Sequence, residues 1–563
     1  MPPVSSAHKG IRASIACKPC RYKHLRCDGQ KPACSRCVAD RKQCIYPESR
    51  RGGARGQPPV RKGLSDTTNS SDIDASSVSQ RSNTLSTPVN PDDINAAHAT
   101  FDQVLLGLYY KFFHAAHPCV LPCHFLKQRL NDERIQPLLL AMQYIGSLFA
   151  VSISSVHHEK RFEEALTSIR LRERPVTGYD VQAILLYAIA VYWCNEPERG
   201  TELIDEAIQT AVEIGLNQST FATEYGQNDP VLEESWRRSW WQIYTTDAHI
   251  AGSTHTFPFK TSGIEMDVGL PCEEWEYESG NIPQHHTLEE YNDREFMPYD
   301  IEFSSFAELI GLTRGIDLAL PSSAPSSIQQ YISICTHSDT ATTAWYSLLP
   351  QSKKTLIHSD GSLDEVMFKA HFVMHTYTVE LHRPLSNLSY SSIEQVSRCA
   401  PRPPSSDLRE CNATESRLHT AKCLQAIEKL DWLLTLPTNI TTHSPFIICM
   451  IANVTIAHLS ACRFVYEEEK LRIAREKIRL TMGTLKVLSQ YWTLGKRTYS
   501  EIGIIAREIL SLTHTGPKVT AQPCQPEQEA INLALLDMLP NGDFDFCTMF
   551  DSIPPQNLEM IPI

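Results

Sequence analysis

The chain has 563 residues, of which 42% are hydrophobic and 21% charged, and its formal net charge is −13. It is long enough for several domains and a large core, and an acidic total taken alone argues against a nucleic-acid ligand. The distribution of charge reverses that: residues 1–62 hold 15 Lys and Arg against 3 Asp and Glu, a net of +12, which leaves −25 on the remainder. A basic head on an acidic body is the layout of a nucleic-acid anchor joined to a part that does not touch nucleic acid.

Residues 1–14 form a short polar, basic arm, expected to be disordered and without the apolar run of a signal peptide. Residues 15–47 hold six cysteines as C-x2-C-x6-C, a six-residue link, and C-x2-C-x6-C again. Cys17, Cys20 and Cys27 recur 17 positions on as Cys34, Cys37 and Cys44. A C-x2-C step lets two thiolates from one tight turn reach the same metal, and thiolate is the preferred ligand of closed zinc sites. Two separate tetrahedral sites need eight ligands, so six suffice only if one thiolate from each half is shared. The pseudo-symmetry of the repeat points to Cys17 and Cys34 as the shared pair. The other 12 cysteines are scattered from Cys119 to Cys547, as expected of a reducing nuclear or cytosolic interior.

The residues between the cysteines carry a resemblance. Cys-x-x-Cys-Arg-x-Lys at residues 17–23, then Arg26-Cys27-Asp28-Gly29, and Pro32 ahead of Cys34 resemble the fungal binuclear zinc-cluster DNA-binding domain. The resemblance implies two zinc ions, a short helix after each C-x2-C, a proline that is often cis, and a first helix whose C-terminal end enters the major groove of double-stranded DNA. The first half holds Lys18, Arg21, Lys23, His24 and Arg26, whereas the second holds Arg36, Arg41 and Lys42 diluted by Asp40. The first half is therefore the expected DNA face. His24 stands where the family usually has a base-reading lysine, and a neutral imidazole brings no steady positive charge at neutral pH. Lys23 becomes the first base-reading candidate, Arg21 and Arg26 the phosphate contacts, and the family's CGG-type half-site only a guess. A disulfide framework, a metal buffer and a zinc module for protein contacts compete with this reading. The first would need an oxidising compartment, and the second has no need of interleaved basic residues.

Residues 48–96 turn to Ser, Thr, Asn, Asp, Gly and Pro and read as a flexible linker. Its opening, ESRRGGARGQPPVRK, is either a nuclear import signal or solvated charge. No apolar heptad lies between Ile45 and Phe101, so a coiled coil just after the cluster has no support.

Residues 97–515 read as an all-α body. Asp229-Pro230 supplies an N-cap and first-turn proline ahead of Trp236, Trp240, Ile243 and Tyr244 at helical spacing. Thr201 to Gly215 places Leu203, Ile204, Ala207, Ile208, Ala211 and Val212 on one face, closed by glycine. VQAILLYAIAVYW, AIQTAVEIGLN and ESWRRSWWQIYTTDAHIAG within residues 181–252, with IEMDVGLP at 264–271 and ELHRPL at 380–385, are similar to the regulatory "middle homology" region of the same fungal factors. That resemblance implies no catalytic residues, so Arg237, Arg238, Trp240, Trp241 and Asp247 are expected to be packing and helix-surface residues, with a ligand site there as the rival.

Four stretches of the body and tail allow two readings each. HAAHPCVLPCH at 114–124 gathers His114, His117, Cys119, Cys123 and His124, but its apolar neighbours favour ordinary burial over a metal site. Two uncharged runs, Pro137–Val156 and Ser444–Cys462, are long enough to cross a bilayer, yet their hydroxyls and amides favour buried core helices and no membrane. Glu467 to Trp492 repeats Leu471, Ile478, Leu485 and Trp492 every seven residues, with Thr481 breaking the seam. This is a bundle helix by preference and a homodimer seam by alternative. Residues 516–563 form an acidic-hydrophobic tail: from Glu527 on there are seven acidic residues and no Lys or Arg, set among Leu, Met and Phe. Such a disordered segment suits docking on a transcription co-activator, and an inert capping helix is the alternative.

No phosphate-cradling glycine loop, G-x-S-x-G or H-E-x-x-H occurs, so no enzyme is expected. The expected protein is mostly α: a nuclear, sequence-specific DNA-binding regulator of RNA polymerase II genes, more an activator of a metabolic or secondary-metabolite gene set than a repressor.

Overall fold

The computed structural model describes residues 27–28, 30, 33–39, 44, 91–150, 154–320, 325, 327–404 and 412–512, with side chains in the first long helix described from Asp102 onward. They fall in two compact units, Met1–Thr87 and Pro88–Ile563. Among the described residues there is no β-strand, and the sole ladder is an antiparallel bridge between Ile357 and Leu363. The body is a helical assembly, as the periodicities require.

Its long helices are α1 (Pro91–Phe112), α2 (Gln136–Leu148), α3 (Val156–Arg170), α4 (Gly178–Trp193), α5 (Pro197–Glu213), α6 (Pro230–Thr254), α7 (Ser305–Ala319), α8 (Ile328–Leu348), α9 (Glu365–His382), α10 (Ala413–Leu433), α11 (Ile447–Phe464), α12 (Glu468–Leu488) and α13 (Thr493–Leu512). Helix α1 starts at Pro91, inside the stretch that composition assigns to the linker. A first-turn proline followed by Asp92 and Asp93 is a strong start signal that composition averages away.

Helix α4 is apolar all round and every one of its residues is buried. Its start is fixed by a capping box in which the Asp180 carboxylate accepts from the Thr177 N–H at 2.8 Å. The Arg174 guanidinium clamps the same carboxylate at 2.6 and 2.8 Å. Helices α2, α5, α6 and α13 pack around α4.

Helix α6 begins as its sequence dictates: the Asp229 carboxylate accepts from the Val231 N–H at 3.0 Å, and Pro230 occupies the first turn. It ends at His255, held in the left-handed region at φ 56°. Trp236, Trp240, Ile243 and Tyr244 are buried, and so is Trp241, which donates to the Gly269 carbonyl at 2.9 Å. Arg237, Arg238 and Asp247, expected partly on the helix surface, are buried instead. Each has found partners: Glu234 accepts from Arg237 and Arg238 at 2.9 Å, and Asp247 accepts from the Thr261 N–H at 2.7 Å. Arg238 also donates to Glu274 at 2.6 Å and to the Cys272 carbonyl at 2.8 Å, and lies 4.0 Å from the Tyr277 ring centre.

In α5 the expected face is buried at Leu203, Ile204, Ala207, Ile208 and Ala211, but Val212 is 40% exposed. Gly215, at φ 82°, supplies the left-handed stop after α5. Residues 116–119 leave a 3-10 turn at Ala116 and run on through the interior without regular structure, so side chains satisfy their carbonyls. Lys369 donates to the Ala116 carbonyl at 2.8 Å, Arg238 to that of Pro118 at 3.1 Å, and Gln182 and Ser235 to that of Cys119 at 3.0 and 2.9 Å. His114, His117 and Cys119 are buried there, and burial pushes the His114 imidazole down to about 4.

The first run read as span-like is broken: α2 has 13 residues and ends at Leu148, too short to cross a bilayer. The second forms α11, which is long and apolar enough to cross, yet 83% of it is buried inside the body. Helix α12 turns Ala474, Ile478, Leu485 and Leu488 toward α11 and α13 of the same chain, and Thr481 is hydrogen-bonded to Thr455 on α11 at 3.1 Å. The seven-residue seam is therefore consumed inside the bundle.

Candidate metal centre and nucleic-acid interface

The second half of the cysteine repeat is the part described. A short helix, Ser35–Ala39, begins one residue after Cys34 and carries Cys37 in its middle. It starts inside the C-x2-C step rather than after it, so Cys34 flanks the helix N-terminus and Cys37 lies one turn further along. Asp28 sits over that terminus: its carboxylate accepts from the Ser35 N–H at 3.2 Å and from the Ser35 hydroxyl. The Ser35 hydroxyl is the first cause holding the Asp28 carboxyl below the usual range, and the backbone N–H groups of Ser35 and Gln30 add to it.

The Sγ atoms of Cys34, Cys37 and Cys44 all lie within 4.8 Å of one another. Cys34 belongs equally to a second group, with Cys27 and an Asp28 carboxylate oxygen, under the same limit. Backbone N–H groups point at these sulfurs: Cys34 donates to the Cys44 Sγ at 3.3 Å and Cys37 to the Cys34 Sγ at 3.4 Å. Cys34 and Cys37 are 0% and 2% exposed. Thiolates around one tetrahedral zinc stand about 3.8 Å apart for a Zn–S bond near 2.3 Å. The donor set and spacing therefore fit zinc, and Cys34 is common to both groupings. Zinc there would neutralise the thiolates and fix the chain that carries the basic residues.

Of the expected site residues, Cys27, Cys34, Cys37 and Cys44 are brought together. Cys17, Cys20, Lys18, Arg21, Lys23, His24 and Arg26 lie outside the described residues, as do Pro32, the import-like stretch and the acidic tail. Arg36, on the described helix, is exposed.

Two further groupings of metal-type side chains occur in the body, and neither was expected from the sequence. His114 lies with Glu274 and Glu278, and Cys335 with His382 and His419. In the second, the His382 Nε2 pairs with Asp339 at 3.0 Å and its Nδ1 with the His419 Nδ1 at 2.7 Å, so the ring is satisfied within the protein. The neighbouring Arg383 is 1% exposed and donates from one guanidinium nitrogen to both Glu394 oxygens at 2.8 Å, giving the ELHRPL stretch a structural task. His114, His117, Cys119, Cys123 and His124 do not converge on one metal position.

Comparison with known proteins agrees with this geometry. Residues 15–53 match the fungal Zn(2)-Cys(6) binuclear cluster domain, and residues 106–362 match the fungal specific transcription factor domain. The C6 finger domain transcription factor iacK of Pestalotiopsis fici is 31% identical over 559 residues, covering 89% of this chain and 81% of that protein. Transcription factor lfc1 of Flammulina velutipes is 36% identical over 80 residues, covering 14% of this chain and 28% of its own length. The Zn(2)-C6 fungal-type transcription factor FTF1a of Fusarium oxysporum f. sp. lycopersici is 44% identical over 43 residues, 8% of this chain and 4% of that protein. No solved structure matches.

Proposed function

The chain belongs to the fungal Zn(2)-Cys(6) transcription factors, and from that premise we propose that it is a nuclear activator that reads DNA through the first half of its cysteine repeat. It is a DNA-binding transcription factor, not an enzyme, and its N-terminal domain binds two zinc ions. Factors of this family are nuclear in general.

The finer assignments are ours. Cys17, Cys20, Cys27, Cys34, Cys37 and Cys44 hold the two ions, with Cys17 and Cys34 shared. The single observation that carries this is the position of Cys34, common to a Cys27 group and a Cys37–Cys44 group. Zinc holds the first-half helix against the major groove. Lys23, with His24, meets base edges, while Lys18, Arg21 and Arg26 meet phosphates and supply the salt-dependent part of the affinity. Residues 527–563 recruit a co-activator through acid-solvated aromatics. Regulation of a metabolic or secondary-metabolite gene set fits the same reading.

Selection of the full-length protein on random duplexes tests the core of it. Enrichment of one motif is expected, while sequence-indifferent binding favours the zinc-stapled protein-interaction module. Lys23→Ala should relax base preference, whereas Arg21→Ala should weaken binding to every sequence and flatten its salt slope. Fusing residues 527–563 to a foreign DNA-binding domain asks whether the tail activates; silence favours a repressor.

A further inference from the structure

A polar pocket lies where the first turns of α6 meet the short helix Ser219–Tyr225 and the segment 282–285. Its volume is about 290 Å³, at the lower end of small-molecule sites, which run from roughly 300 to 1,000 Å³. Arg237 and Glu233 of α6 line it, with Thr223, Ile282 and Gln284 among their neighbours. Thr223 and Gln284 are exposed, so the pocket opens to solvent.

Arg237 is 7% exposed, and its Nε donates to the Glu234 carboxylate at 2.9 Å. Its two terminal nitrogens have no hydrogen bond among the described residues, yet neither is sealed from water. A buried stem and a fixed Nε thus hold out an unoccupied fork, the geometry that suits a carboxylate. Holding the side chain still beforehand removes part of the entropic cost of binding. Glu233, four residues earlier on the same helix, has the spacing of a helical ion pair with Arg237 but does not form one. Its carboxylate has no hydrogen bond or ion pair among the described residues. One unspent cation and one unspent anion therefore face the same small space, and no other Lys or Arg lines it.

We propose that this pocket binds a small zwitterion, an α-amino acid, whose carboxylate takes the Arg237 fork and whose ammonium group meets Glu233. A simple anion would satisfy the fork but face an uncompensated carboxylate, and a simple amine would face the guanidinium. Opposite charges on neighbouring atoms of one ligand answer both. The volume favours a short side chain. The inference does not depend on how DNA is read, because binding is measured without DNA.

The test offers the coded L-amino acids one at a time to full-length, zinc-loaded protein, first by melting temperature and then by titration calorimetry at pH 7. At least one is expected to bind saturably, one per chain. Its amide, which lacks the carboxylate, and the 2-hydroxy acid with the same side chain, which lacks the ammonium group, should each bind at least about tenfold more weakly. Two variants locate the site. Arg237→Lys keeps a cation beside Glu234 but loses the fork, and should weaken the amino acid at least about tenfold. Glu233→Gln changes a partly exposed side chain that holds nothing in the protein, so the fold should stand even if Arg237→Lys unfolds. It should weaken the amino acid about tenfold while the 2-hydroxy acid binds as well as before or better. Saturable binding of none of the amino acids, equal affinity for the amide or the 2-hydroxy acid, or binding untouched by Glu233→Gln would each overturn the proposal.

Discussion

Arg238 is 1% exposed, and its guanidinium is spent on two carboxylates, two carbonyls and an aromatic face. Its removal would leave the Glu234 carboxylate, which is 0% exposed, with Arg237 and the Cys272 N–H as its partners. Arg238→Met is therefore expected to cost about 3–5 kcal/mol, read from urea denaturation of the full chain. A loss below about 1 kcal/mol would show that the carboxylate reaches water. Glu380 gives the opposite kind of residue effect. Its folded value of about 8 lies above its ordinary 4.5, so between those limits the folded protein binds more protons than the unfolded one. Stability from this group is thus lost as pH rises from about 4.5 to 8. Glu380→Gln, which keeps an acceptor for Asn453, should gain about 1–3 kcal/mol relative to the parent between pH 5 and pH 8, a range discounted because 22% of the side chain is accessible. A pH-independent difference would mean that the carboxyl is ionised throughout.

Helix α12 shows how an element can be legible in its type and open in its partner. Its apolar spacing favours a bundle helix, because Thr481 breaks the seam, but also allows a coiled coil, since both bury every third or fourth residue. The structure buries Ile478 and Leu485 against α11 and α13. Ile478→Ala should then cost about 2–4 kcal/mol in urea denaturation while leaving the mass from light scattering unchanged. A fall in mass with little loss of stability would restore the dimer seam. The cap of α6 was legible for a related reason: Asp229 and Pro230 act within a few residues of chain. The burial of Arg238 and Asp247 was not legible, because Cys272 and Glu274, which accept from Arg238, and Thr261, which donates to Asp247, come from distant turns.

At the scale of the molecule, the two compact units differ in what holds them together. The body has a continuous apolar core drawn from all its long helices, whereas the described part of the N-terminal unit buries little beyond its own cysteines. A cysteine cluster so poor in buried apolar surface is expected to take its folding free energy from metal, on the order of 10–16 kcal/mol for a structural zinc site at neutral pH. All six cysteines fall within 28 residues, so the metal centre was legible in the chain itself. Chelating the full-length protein should therefore abolish sequence-selective DNA binding while leaving the helical circular dichroism signal and the thermal transition of the body in place. Charge sharpens the expectation. With the cluster collapsed, the +12 of residues 1–62 remains, tethered to −25 elsewhere. Residual binding should then be sequence-indifferent and fall steeply with salt, because phosphate neutralisation is all that is left. Selective binding that survives complete chelation would separate base reading from zinc altogether, and loss of the body's transition along with the metal would tie the stability of the two units together.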